Sequence, residues 1–370
     1  MFKRTLIAAS LTVAALASAQ AMAVTGGGAS LPAALYKGSA NSILPANFSY
    51  AVTGSGIGKS AFLTNTASQF GTTGTVHFAA SDSILSTNEL STYATNFGAS
   101  FGPLIQLPSV ATSVAIPYKK AGNTTLNLTS AQLCDALSGT KVTWGALLGT
   151  SDTTPIRVVY RTASSGTTEI LSRHLNSICP TKFAVNTTFT NARLPAGSAV
   201  PSNWVGVVNT SDVATAVNAV DGSIGYVGPD GVNASSNAVV ARINGVQPTS
   251  ANVNAALASV PVPATAVNAA DPSKWSPVVA NPTSGYAMAA YTNLIFGQCY
   301  KDAAVAADVK AFLTQHYSTP GNAAATAAHG FIPVPTGWKT AVTANFVTNS
   351  TGFNLDINNT SVCNAVGRPL

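Results

Sequence analysis

The stretch Tyr160-Arg161-Thr162-Ala163-Ser164-Ser165-Gly166-Thr167-Thr168-Glu169 follows an apolar run, Ile156 to Val159, and precedes a periodic segment, Ile170 to Leu175. That order predicts a strand, a hydroxyl- and glycine-rich turn, and a helix. The first N–H groups of a helix have no partner inside it, so those of Ser165, Gly166 and Thr167 are expected to point outward. With the helix dipole they favour an anion. Arg161, at the end of the strand, offers a planar fork of donors suited to two oxygens of a phosphate or carboxylate, and Ser165 and Thr167 add hydroxyls. The same turn also fits a plain helix cap without any ligand, since hydroxyl residues commonly serve as caps.

Upstream lie further turns of the same kind. Thr53-Gly54-Ser55-Gly56-Ile57-Gly58-Lys59-Ser60 follows a short predicted strand, Phe48 to Val52, and precedes a helix predicted from Ala61. A P-loop needs four residues between its first Gly and Gly-Lys-Ser, one more than Gly54 to Gly58 provides, and a dinucleotide fingerprint needs Gly where Lys59 stands. What remains is a strand-to-helix glycine turn with a hydroxyl, Ser55. Val76-His77-Phe78-Ala79-Ala80-Ser81-Asp82-Ser83 reads as a buried strand ending in an acid between serines, followed by the capping box Ser86-Thr87-Asn88-Glu89. Asp82 is then either a turn acid or a site acid. Still earlier, Gly26-Gly27-Gly28 precedes Ser30, and Pro32 suits a first helical turn.

Downstream, Leu104 to Pro108 and Val110 to Pro117 read as two strands joined at Pro108-Ser109, where the chain is expected to cross between domains. Thr129 to Ser138 is a predicted helix stopped by Gly139. Ala214 to Tyr226 reads as helix, turn and strand. Ala287 to Phe296 fits a strand or a helix start, and Asp302 to His316 and Ala323 to His329 read as helices. This alternation predicts α/β domains whose ligand lies at the C-terminal ends of the strands, where Ser55, Asp82 and Arg161 converge. Gly98-Ala99-Ser100-Phe101-Gly102 matches a hydrolase elbow formally, but a helix is expected before it and a strand after it, the reverse of what that motif needs.

Met1 to Ala23, with Lys3, Arg4, an apolar run and Ala21-Met22-Ala23, reads as a secretory signal peptide. Its removal takes two of the 18 basic residues and none of the 12 acidic ones. Charged residues are only 8% of the chain and form no basic run, which argues against nucleic acid or membrane insertion. About 350 remaining residues exceed one core and predict two domains. The cysteines Cys134, Cys179, Cys299 and Cys363 are even in number and widely spaced, as disulfides are in an exported chain. His77, His174, His316 and His329 are scattered and lack metal-ligand spacing, so no metal or other cofactor is expected.

Taken together, Gly-Gly-Gly-Ala-Ser-Leu-Pro (26–32), Thr-Gly-Ser-Gly-Ile-Gly-Lys (53–59), Ala-Ala-Ser-Asp-Ser (79–83), Pro-Ser-Val-Ala-Thr-Ser-Val-Ala-Ile-Pro (108–117), the 160–169 stretch and Thr-Asn-Leu-Ile-Phe (292–296) resemble the phosphate-binding proteins of ABC transporters, above all their DING branch. The resemblance implies a two-lobed α/β periplasmic-binding-protein (type II) fold with the ligand in the inter-lobe cleft. One lobe would comprise residues 24–112 and 285–370, the other 113–284. It places phosphate ligands at Ser30, Leu31, Ser55, Asp82, Arg161, Ser165, Gly166 and Thr167. It implies a monomer binding inorganic phosphate with high affinity in the periplasm, or secreted or on the cell surface, for an ABC permease or for scavenging. The alternative is a secreted phosphomonoesterase. With those lobes, Cys134 pairs with Cys179 and Cys299 with Cys363, each within one lobe. Two departures stand out: Val-Thr-Gly-Gly replaces the branch's Asp-Ile-Asn-Gly start, and Ala163 stands where the family has an acid two residues after the arginine.

Overall fold

The computed structural model describes residues 24–258 and 260–370, so the predicted signal peptide lies outside the described residues. Two α/β lobes, each built on its own sheet, face one another, with a small two-stranded ribbon beside them. The first sheet contains β1 (Gly26–Gly28), β2 (Ala51–Val52), β3 (Phe78–Ser81), β4 (Leu104–Ser113), β11 (Ala289–Gly297) and β12 (Ile332–Pro333) in the order β12-β4-β11-β3-β1-β2. The second contains β5 (Tyr118–Lys119), β7 (Arg157–Arg161), β8 (Val205–Val207) and β9 (Ser223–Gly225) in the order β5-β9-β7-β8. The ribbon pairs β6 (Asn127–Leu128) with β10 (Arg242–Ile243). Parallel pairs dominate near the cleft: β1 with β2 and β3, and β7 with β8 and β9. Their C-terminal ends therefore carry loops to a common edge.

Separate cores account for the two lobes. One gathers Leu133, Trp144, Val158, Leu175, Phe189 and Tyr226, the other Phe48, Phe78, Phe296, Phe312, Trp275 and Trp338. Burial of each, at ~25 cal/mol per Å² of apolar surface, favours holding its sheet and helices together. The chain passes between sheets just after β4, where the Val114 N–H donates to the Met288 carbonyl and the Ala115 N–H to the Val227 carbonyl.

Local signals act where their chemistry is strongest. Thr129 and Gln132 form a capping box at Ser130–Ser138, and Gly139 ends that helix in the left-handed region. Ser86 and Glu89 do the same for Thr87–Tyr93. Asp302 caps Ala303–Tyr317. Of the run 287–296, residues from Ala289 on resolve as strand β11, with 287 and 288 in a turn before it. Helix Ala99–Phe101 precedes β4, so residues 98–102 have the reversed order expected of them.

Three expectations change. The runs expected to join at Pro108-Ser109 form one ten-residue strand that ends at Ser113, because β11 shifts register at Pro108-Ser109, and the chain crosses between sheets after Ser113 rather than there. Val110 pairs with Thr292 and Pro108 with Asn293, leaving Ser109 as the extra residue of a bulge. Proline is tolerated at a bulge, where its missing N–H breaks no ladder bond. The strand expected at Phe48–Val52 shortens to β2 plus one isolated bridge, Val24 to Phe48. The helix expected from Ala61 begins at Ser55 and is called α1 (Ser55–Leu63). Its glycines serve close packing: a Cβ on Gly58 would lie 2.5 Å from Gly28 Cα and 3.2 Å from the Ala80 carbonyl. That approach repays the poor helix propensity of glycine, which local reading counts as loop.

Candidate functional site

Side chains from both sheets meet beyond the C-terminal ends of parallel strands. Ser30 follows β1, Ser55 follows β2 and Asp82 follows β3; opposite them Arg161 ends β7 and Thr210 lies beyond β8. Helix α1 enters from the first sheet, while α2 (Gly166–Ile178) and α3 (Thr210–Ala219) enter from the second.

Arg161 is 2% exposed. Its Nη1 donates to Thr210 Oγ1 at 2.5 Å, Ser30 Oγ at 3.0 Å and Ser165 Oγ at 3.2 Å. Its Nε donates to the Val208 carbonyl at 2.7 Å. The Arg161 backbone N–H donates to the Tyr226 hydroxyl at 3.0 Å, and that hydroxyl lies 2.8 Å from Thr168 Oγ1. The guanidinium is thus oriented from several sides. Among the described residues it makes no ion pair. Burial lowers its pKa, while Tyr226, Asp82 and Asp212 pull the other way. Arginine starts so high that it stays charged.

Asp82 faces it from the other lobe, 5% exposed. It caps no helix, since Ser86 caps the one that follows. The Asp82 N–H donates to Ser55 Oγ at 3.1 Å, and Oδ2 accepts from the same hydroxyl at 3.4 Å. Oδ1 is buried without a hydrogen-bond partner, as are the hydroxyls of Thr167 and Thr292. Burial pushes the carboxyl up to about 6, with Thr292 and the Arg161 guanidinium offsetting part of the rise.

Between these two charges the termini of α1 and α2 almost touch. A Cβ on Gly166 would collide with Asp82 Cβ and come within 2.6 Å of Ser55 Oγ. The N–H groups of Gly166 and Thr167 make no hydrogen bond among the described residues, nor do those of Ser30, Leu31, Ser55 and Gly56. The Ser165 N–H differs from expectation: it donates to the Thr187 carbonyl at 2.8 Å, because Ser165 is the cap residue and sits outside the helix. Leu31 also packs on Gly228 of the opposite lobe.

Ser30, Leu31, Ser55, Asp82, Arg161, Ser165, Gly166 and Thr167 are therefore brought together, from segments far apart in the chain. Thr210, the Val208 carbonyl and Tyr226 join them unforeseen. A signal for α3 was available in Asn209 and Asp212, which form its capping box, but nothing local pointed Thr210 at Arg161. The histidines lie elsewhere: His77 accepts from the Thr25 N–H, His174 bonds Ser130, His316 bonds Ser109, and His329 bonds Ser39 and Asp230. No group of three His, Cys, Asp or Glu side chains among the described residues clusters to hold a metal ion.

Both expected disulfides are present, Cys134 to Cys179 and Cys299 to Cys363. No helix among the described residues is long and apolar enough to cross a membrane.

Residues 13–318 match the family model of the PBP superfamily domain. Alkaline phosphatase L of Pseudomonas aeruginosa is 68% identical over 369 residues, covering all of both chains. A phosphate-binding protein from Stenotrophomonas maltophilia has a solved structure that is 46% identical, with TM-score 0.85 over 94% of this chain and 99% of that one. A high-affinity periplasmic phosphate-binding protein of the DING type, solved bound with phosphate, is 43% identical, again with TM-score 0.85 and 94% and 99% coverage. The chain belongs to the PBP superfamily and, within it, to the DING proteins.

Proposed function

We propose that this protein binds inorganic phosphate between its lobes and releases it unchanged. The observation that carries the reading is a pair of opposite groups: a buried guanidinium without an ion-pair partner and a buried carboxylate with an unpartnered oxygen, set among free N–H groups. Hydrogen phosphate answers both. Its charged oxygens suit Arg161, the hydroxyls of Ser30, Ser55, Ser165 and Thr167, and the N–H groups of Leu31, Gly166 and Thr167. Its remaining proton suits Asp82, which when ionised can only accept. Sulfate has no proton to offer there near neutral pH. Ala163, in place of an acid beside Arg161, leaves Asp82 and Asp212 as the acids whose fields reach the guanidinium.

The lobes we assign are residues 24–112 with 285–370, and 113–284, hinged where the chain leaves β4 and enters β11. Closing them removes water and strengthens each contact. The relatives named as phosphate-binding support this reading, as does the description of one as periplasmic. A monomeric periplasmic receptor serving an ABC permease follows as the simplest physiological setting. Titration calorimetry with phosphate and sulfate at matched ionic strength tests it: phosphate should bind far more tightly, and equal or absent binding would refute the assignment.

A second reading, a phosphomonoesterase, is favoured by the name of the 68% identical relative. Among the described residues, the proposed phosphate ligands include one carboxyl, Asp82, and no histidine, so they supply no separate acid and base to flank a phosphate. We therefore assign no catalysis. Hydrolysis of a chromogenic phosphate ester that persists through purification and disappears in Arg161→Ala would reverse this assignment.

A further inference from the structure

Thr210 belongs to none of the residues carried into the phosphate set, yet its hydroxyl lies at the centre of the lobe contact. Arg161 Nη1 donates to it at 2.5 Å, and it lies 2.9 Å from Ser30 Oγ across the cleft. It is 6% exposed. Ser30 and Thr210 together also line a groove of about 330 Å³, with Leu31, Val52, Val227 and Gly228, that leads outward. The pair thus separates Arg161 from this path.

Proton counting gives the contact a direction of effect. Both hydroxyls accept from the guanidinium, which has no lone pair to return. Each has one proton of its own, and one of the two is consumed by the bond between them. When Thr210 donates to Ser30, the Ser30 proton is left to turn into the socket, towards an anion oxygen. When Ser30 donates, the Thr210 proton is the one left over. Either way the two hydroxyls present a single donor to the anion while they tie the lobes together. Arg161 also reaches Ser30 directly across the cleft at 3.0 Å, and Thr210 adds the hydroxyl-to-hydroxyl bond beside it, which Ser165, on the same lobe as Arg161, does not supply.

Resting on the phosphate-binding reading, we propose that Thr210 is an additional residue of the socket, a cross-lobe clasp with Ser30 that sets how long the anion is held. Its removal opens the groove side of the socket and lets Ser30 rotate. The route in is already available to an open clamp, so the effect falls on release more than on capture.

The test is stopped-flow measurement of phosphate association and dissociation on wild type, Thr210→Val and Thr210→Ser. Valine keeps the shape and loses the hydroxyl, whereas serine keeps the hydroxyl and loses the methyl. The expected result is dissociation about ten-fold faster in Thr210→Val, association within about two-fold, and near wild-type rates in Thr210→Ser. Wild-type dissociation in Thr210→Val would overturn the clasp. Equal acceleration in both variants would overturn it too, by assigning the effect to methyl packing. Phosphate binding by the wild type with either of these outcomes leaves the proposed function standing, whereas no wild-type binding removes both.

Discussion

Arg161 and Asp82 carry opposite charges into the same buried space, and their substitution separates binding from selectivity. Arg161→Ala should weaken phosphate binding by about 2–5 kcal/mol, because a desolvated anion loses its facing cation. Calorimetry checks this, with circular dichroism showing that the fold survives. Asp82→Asn should still bind phosphate but lose at least about ten-fold of its preference over sulfate, since the amide can donate to an unprotonated oxygen. Competition titrations read that ratio directly. The same variant has a stability signature. The Asp82 carboxyl is held at about 6, above its ordinary 3.8, by burial. The native state therefore keeps its proton longer than the unfolded chain, and ligand-free stability falls as pH rises from about 4 to about 6, then stays level. Removing the carboxyl should make ligand-free Asp82→Asn more stable than wild type at pH 8 by about 2–3 kcal/mol, and equal to it at pH 3. Urea unfolding at both values checks the sign.

The helix termini matter because two of them are pressed together at the socket. Gly166 opens α2 against Ser55, which opens α1, and Asp82 fills the angle between them. Alanine is the better helix former, so Gly166→Ala costs nothing in α2 itself. Its Cβ would nevertheless hold α1 and α2 apart. Phosphate affinity should therefore fall at least about ten-fold, and the ligand-free melting temperature should fall as well, because the added Cβ meets Asp82 Cβ and backbone. Calorimetry beside a thermal melt distinguishes this from simple unfolding. The bulge at Ser109 works at the same scale: it lets β4 run its full length beside β11 despite Pro108.

At the scale of the molecule, each disulfide stays on its own side of the cleft. Cys134–Cys179 ties helix Ser130–Ser138 to the end of α2, and Cys299–Cys363 ties the segment after β11 to the C-terminal tail. Neither spans the lobes, so neither resists opening. Replacing either pair with serines should lower stability by about 4 kcal/mol on the chain-entropy account, since each closes a loop of 45 or 64 residues. Phosphate affinity should stay within about two-fold. Denaturant unfolding and calorimetry on the same samples check both parts.

Much of this molecule was legible before any coordinates. Caps such as Thr129 with Gln132, the stop at Gly139, and the strand-turn-helix order around Arg161 are local, decided by which backbone N–H and carbonyl groups a few neighbours satisfy. They determined the element types and, with the family resemblance, which residues to watch. The tertiary structure decided what depends on distant segments. Whether Gly54 to Ser60 is loop or helix depends on Gly28 and Ala80 packing against it. Whether Asp82 is a turn acid or a buried acceptor depends on Ser55 and Gly166, and Thr210 reaches Arg161 only because β8 lies beside β7. Burial and cross-lobe distance are properties of the packed chain, so no local pattern encodes them.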